Sequence, residues 1–97
     1  MTTDTTLAAA RAGHDARFAG RPGHRWEDEP NAIQIRWERV AARVLNGEIA
    51  TIRALRDAYQ DGRFDVPDWS DLSRREQWRW FVVLDAIQAA GAMDAAA

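Results

Sequence analysis

Six titratable side chains that could do chemistry crowd one stretch of the chain: His14, Asp15, His24, Glu27, Asp28 and Glu29. Such residues could hold a metal ion or move protons. A metal site needs three or four ligands converging on one point. His14 and His24 stand ten positions apart across a Gly/Pro segment, without the four-residue spacing that aligns two ligands on a helix. Paired carboxylates working as acid and base need a pocket that drives their pKa values apart. Glu27, Asp28 and Glu29 instead run into a helix start, where the positive end of the helix dipole already accounts for them. Ser70 and Ser73 have no neighbouring His and no Gly-x-Ser-x-Gly turn, so neither reads as a nucleophile. Gly20-Arg21-Pro22-Gly23 is a turn and not a phosphate-cradling loop. The expectation is no catalytic residue, no metal ligand, no cofactor and no small-molecule substrate. The chain reads as a non-enzyme.

Arginine is the other chemical resource. All 13 basic residues are Arg, set against 15 acids for a net charge of −2. A guanidinium forks onto phosphate. Arg36, Arg39, Arg43, Arg53 and Arg56 would line the outer face of a helix pair imitating a helix-turn-helix, and Arg11, Arg17, Arg21 and Arg25 could track a backbone. A GC-rich coding bias gives the same composition and also explains the abundant Ala. The second helix of the pair offers few of the Asn, Gln, Ser and Thr side chains that read base edges. Neither the mildly basic N-terminal quarter nor the mildly acidic C-terminal third reaches the footprint of a nucleic-acid domain.

The elements that would position these residues follow from periodicity and caps. Ninety-seven residues make one domain with a single modest core. With no Cys, packing or oligomerisation must hold it together. No apolar run approaches the ~20 residues of a membrane span, and the N-terminus lacks the plan of a signal peptide, so the cytoplasm is expected. Residues 1–18 read as a marginal N-terminal helix, capped by Asp4 or Thr5, weakened by Gly13 and anchored mainly by Phe18. Residues 19–30 form a loop, broken by Gly20-Arg21-Pro22-Gly23-His24. Residues 31–62 hold a helical pair. In its first helix Asn31 and Gln34 have capping-box spacing, Ile33, Trp37, Val40, Ala41 and Val44 make the core stripe, and Asn46-Gly47 ends it. The second runs from Glu48 to Gln60 with Ile49, Ile52, Leu55 and Tyr59 near one face. Residues 63–72 are an extended connection in which Phe64 and Val66 strap the domain.

Residues 73–91 form a central helix, opened by a Ser73/Glu76 capping box and closed at Gly91, with 92–97 a fraying tail. Trp78, Trp80, Phe81, Val82, Val83, Leu84, Ala86 and Ile87 leave it almost no polar face. A helix apolar on all sides is either the centre of a bundle or half core and half interface. A chain this short can hardly cover it, which points to a partner or a homodimer.

Two segments also overlay at an offset of 43 residues. Trp26 falls on Trp69, Asp28 on Asp71, Arg36-Trp37 on Arg79-Trp80, Val40 on Val83 and Val44 on Ile87. Each copy reads as a loop Trp folding back over a capped helix whose own Trp packs inward. The caps, Asn31 and Ser73, fall one residue out of step, and the two helices are expected to pack face to face.

In the second copy, Trp69-x-x-Leu72-x4-Gln77-x-x-Trp80 resembles the Trp-x-x-Leu-x4-Arg/Gln-x-x-Trp pattern of small helical accessory proteins of tailed phages and their actinobacterial hosts. The resemblance covers some 20 residues. It implies a small accessory protein and carries over no activity and no functional residue.

The sequence therefore predicts an all-α bundle of about four helices. Its expected role is a non-catalytic protein-binding module or adaptor, in the manner of a phage-related accessory protein or inhibitor. Trp78, Arg79 and Phe81 are the expected contacts, since Trp and Arg dominate interface hot spots; Trp37, Val40, Val83, Leu84 and Ile87 are the expected core. The alternative is a nucleic-acid-binding regulator acting through Arg36, Arg39, Arg43, Arg53 and Arg56.

Overall fold

A computed structural model describes residues 3–60 and 66–96. Among them are four α-helices: α1 (Asp4–Arg17), α2 (Asn31–Leu45), α3 (Ile52–Tyr59) and α4 (Arg74–Ala96). Single-turn 3-10 helices at Trp26–Asp28 and Trp69–Asp71 precede α2 and α4. No strand occurs among the described residues, and the protein is a small all-α bundle. No described helix is long and apolar enough to cross a membrane.

The 43-residue repeat is real in the backbone and falls in register. Trp26–Asp28 and Trp69–Asp71 make the same turn, with Asp28 N–H donating to Arg25 O at 3.0 Å and Asp71 N–H to Asp68 O at 2.9 Å. The caps are Pro30 and Ser73, themselves 43 apart. Asn31 is thus the first helical residue and not the cap. Pro30 supplies no side-chain cap, but its carbonyl accepts from Ile33 and Gln34, and its fixed φ suits a helix start.

The side chain of Gln34, free of any capping box, donates to Trp26 O at 2.7 Å. Gln77 does the same to Trp69 O at 3.0 Å. Each amide pins the carbonyl of a loop Trp to the first turn of the helix that follows. Gln34→Ala or Gln77→Ala should each cost about 1 kcal/mol, the worth of one partly buried hydrogen bond, with urea unfolding as the measurement. Equal losses at the two sites are expected, because the two clamps share one geometry.

Half of the Ser73/Glu76 box forms. Glu76 N–H donates to Ser73 Oγ at 3.1 Å, while the Glu76 carboxylate faces Arg17, Arg21 and Arg79 at 3.6–3.9 Å. Three cations draw it away from the return bond.

The largest departure from expectation is α1. The contact of α1 with α4 is the most extensive between any two elements among the described residues, and α1 also packs on α2. The face-to-face pairing expected of α2 and α4 is correspondingly reduced. Thr3 caps α1 by accepting from Thr6 N–H at 3.1 Å, in place of Asp4 or Thr5. Ala9, Ala10, Gly13 and His14 are buried, whereas Leu7 is exposed and Phe18 is only half-buried. A face built of Ala and Gly looks thin as sequence, yet it lets neighbouring large side chains press against the helix backbone. A Cβ on Gly13 would lie 2.7 Å from Ile87 Cγ1 and 3.3 Å from Trp37 Cζ3.

An aromatic chain fills the centre. His14 packs against Phe18, Trp26 and Trp37, with ring centroids 5.1, 5.4 and 6.1 Å apart. Tyr59 of α3 lodges against Trp37 at 4.5 Å and Trp80 at 5.5 Å, joining the inward Trp of both repeats. All five residues expected for the core, Trp37, Val40, Val83, Leu84 and Ile87, are buried.

Three boundaries differ from expectation for local reasons. The α2 C-terminus closes as a Schellman motif, with Glu48 N–H to Arg43 O at 2.9 Å, Gly47 N–H to Val44 O at 3.1 Å and Gly47 at φ +81°. That turn delays α3 until Thr51, which caps it through Ala54 N–H at 3.1 Å, while Ile49 tucks into the core from the loop. Residues 69–71 of the expected extended connection are helical. Val66 is half-buried, and Phe64 lies outside the described residues. Finally, α4 does not stop at Gly91 but continues to Ala96. A Cβ at Gly91 would meet a terminal methyl of the Leu45 side chain.

Candidate interaction site

The acidic and histidine cluster is brought together, but as a packing element. His14 is fully buried; its Nδ1 meets Asp15 Oδ1 at 2.9 Å and its Nε2 lies 3.8 Å from Glu29 Oε2. Glu29 also reaches His24 Nδ1 at 3.6 Å, and the His24 ring stacks on Phe18 at 4.2 Å. Glu27 receives Arg11 Nη2 at 2.5 Å, tying α1 to the loop before α2. Its own peptide N–H, with Arg11 and Arg25 adding to it, holds the Glu27 carboxyl below the usual carboxylate range. Among the described residues no three His, Cys, Asp or Glu are placed to share a metal ion.

The five Arg residues expected to line one outer face are divided by the fold. Arg56 is buried, donating to Pro67 O and lying 3.8 Å from Asp57. It holds the connection beyond α3 and is not part of an outer face. Arg36 is half-spent: its Nη1 donates to Tyr59 O at 3.2 Å, closing the C-terminus of α3, and its guanidinium lies 5.6 Å from the Tyr59 ring centroid. Arg36, Arg39 and Arg43 do share a face of α2. With Ile35, Val40 and Ala58 they line a groove of about 290 Å³ between α2 and α3. Arg43 reaches Glu48 at 3.9 Å, and Arg53 is exposed on α3.

Of the N-terminal Arg residues, Arg11, Arg21 and Arg25 are exposed and Arg17 is half-buried. It points inward over the Trp80 ring at 5.2 Å and pairs with Glu76 at 3.6 Å. Burial pushes its pKa below the ordinary value while Glu76 pushes back, so Glu76 keeps a desolvated cation tolerable between α1 and α4.

The outer face of α4 is different in kind. Trp80, Val83, Leu84, Ile87 and Gly91 face the core. Trp78 is 62% exposed, Phe81 44% and Val82 38%. The Trp78 and Phe81 rings stack at 4.8 Å, an offset pair of adjacent turns. Arg79 lies at the edge of this patch, about 100° round the helix from Trp78, with Nη1 3.8 Å from Glu76. Helix α4 is thus half core and half exposed apolar surface, and two of the three expected contacts lie on the exposed half.

Gln34 has capping-box spacing and Gln77 belongs to the Trp-x-x-Leu-x4-Gln-x-x-Trp pattern; their shared role as clamps on a Trp carbonyl was not expected, although the 43-residue offset places one on the other. Comparison of the chain with protein-family models, with curated proteins and with solved structures finds no match.

Proposed function

We propose that this chain is a small non-catalytic protein-binding module or adaptor that engages a protein partner through the outer face of α4. Trp78 and Phe81 are its anchors and Arg79 its polar edge. In kind it is an accessory protein such as the Trp-x-x-Leu pattern suggests. One observation carries the reading: a stacked, exposed Trp–Phe pair held on a rigid, buried-backed helix. Exposed aromatic side chains on fixed scaffolds bury large area at low entropic cost, which is why they dominate hot spots.

A photo-crosslinking residue placed at 78 or 81 in the native host is expected to capture the same protein. The same probe at the exposed Arg53 of α3 should capture nothing above background. Equal capture from all three positions would sink the assignment of the face. Trp78→Ala should meanwhile change unfolding free energy by less than about 1 kcal/mol, since it removes only a surface stack.

The groove beside Arg36, Arg39 and Arg43 favours a second reading, an Arg-mediated nucleic-acid-binding regulator. With Arg56 buried and Arg36 committed to Tyr59, three side chains remain for phosphates. A duplex would then be bound with a salt slope near −3 at most, about −0.9 per phosphate neutralised. Arg39→Ala with Arg43→Ala would flatten that slope; a slope that both substitutions leave unchanged counts against this reading.

A further inference from the structure

Arg74, Trp78, Phe81, Asp85, Gln88 and Ala92 are all exposed on α4. Their spacing alternates four and three, the rhythm that keeps one seam of a helix facing a partner helix. The first four read cation, aromatic, aromatic, anion. That order is self-complementary when reversed. Laid antiparallel on a copy of itself about a two-fold axis between positions 79 and 80, the seam sets Arg74 against Asp85 of the second copy. Trp78 then meets Phe81 of the second copy, and both contacts occur twice, as an isologous interface requires. A parallel pairing would stack like charge on like charge in the same layers.

The two charges are available for this. Neither Arg74 nor Asp85 has an ion-pair partner among the described residues, whereas Arg79, one helix face away, is held by Glu76. Val82 flanks the aromatic layers and is exposed with them. The overlap of residues 74 to 85 spans roughly 17 Å of helix, short for an interface, so a weak and reversible association is expected.

We propose that the partner which covers α4 is a second copy of this chain, docked antiparallel through a four-layer seam of Arg74–Asp85 pairs around a Trp78–Phe81 centre. The proposal rests on reading the outer face of α4 as a binding surface.

Sedimentation equilibrium of the full chain tests it. The wild type should show a reversible monomer–dimer equilibrium. Arg74→Asp and Asp85→Arg should each weaken it by about tenfold or more, while the double variant R74D/D85R returns to within about threefold of wild type. Both positions are solvent-facing, and an acid at the first turn of α4 suits the helix dipole, so loss of dimer would not be loss of fold. A wild type that stays monomeric overturns the proposal, as does a dimer indifferent to the charge reversals or one that the double variant fails to restore. If the monomeric protein still crosslinks a different polypeptide through position 78, the homodimer falls and the protein-binding reading stands.

Discussion

Trp37→Ala is expected to cost about 3–5 kcal/mol of unfolding free energy, the loss typical of a fully buried indole. Domains of this size hold roughly 5–15 kcal/mol in total, and each kcal/mol moves Tm by about 4–8 °C. The variant should therefore melt some tens of degrees lower or be partly unfolded at room temperature, as read by far-ultraviolet circular dichroism against temperature and urea. The size follows from position. Trp37 has no exposed surface, packs against His14 and Tyr59, and lies within 3.3 Å of where a side chain on Gly13 would begin. Removing it empties the contact between α1, α2 and α3 at once. Trp37→Phe is the informative control. The Trp37 indole N–H has no acceptor among the described residues, so Phe discards an unsatisfied donor together with some volume. Its cost should stay near 1–2 kcal/mol. A Phe variant as damaged as the Ala variant would mean that the indole N–H matters more than its packing.

How much of this was legible in the sequence depends on whether the signal was local. The Schellman turn at Gly47, the Ser73 cap and the core stripe of α2 are written in residues a few positions apart, and the structure holds each. The two-sided character of α4 was equally visible, because eight apolar positions on one helix exceed what three short neighbours can bury. What stayed hidden depends on partners distant in the chain. Arg56 looks like any solvated Arg until the carbonyl of Pro67 is brought to it. The Ala/Gly face of α1 looks weak until Ile87 and Trp37 lie against it. Gly91 has the look of a helix stop, yet α4 runs on through it to Ala96 beside Leu45. The repeat occupies a middle ground: its 43-residue period and register are readable, but the cap of α2 falls one residue earlier than expected, because Asn31 is a better-known cap than Pro30. For the candidate site, Trp78 and Phe81 are legible in the sequence, as is the four-three spacing that puts Arg74 and Asp85 on their face; that this face stays exposed, with both charges unused within the fold, depends on how the helices pack.

Gly13 carries the second large expected effect, and magnitudes decide its sign. In a helix interior, replacing Gly by Ala gains about 1 kcal/mol of propensity. Against this, a Cβ at Gly13 would lie 2.7 Å from Ile87 Cγ1 and 2.9 Å from its Cδ1. The nearer atom is not a chain end, Ile87 is fully buried, and Trp37 closes the other side. Relief requires α1 and α4 to separate at their most extensive contact, and overpacking of that kind costs roughly 1–3 kcal/mol. Gly13→Ala should therefore be neutral to moderately destabilising, and Gly13→Val, with two further methyls and a stiff χ1, should lose about 3 kcal/mol. Gly91→Ala makes the contrast: there the obstacle is a terminal methyl of the half-buried Leu45, which can swing aside, so the propensity gain should survive. The decisive measurement is a double-mutant cycle. Ile87→Ala alone should cost about 2–5 kcal/mol, but combined with Gly13→Ala it should cost about 1 kcal/mol less than the sum, because the new methyl fills part of the space vacated. Strict additivity would show that α1 and α4 are not held apart by this contact, and that the glycine serves some end other than close approach.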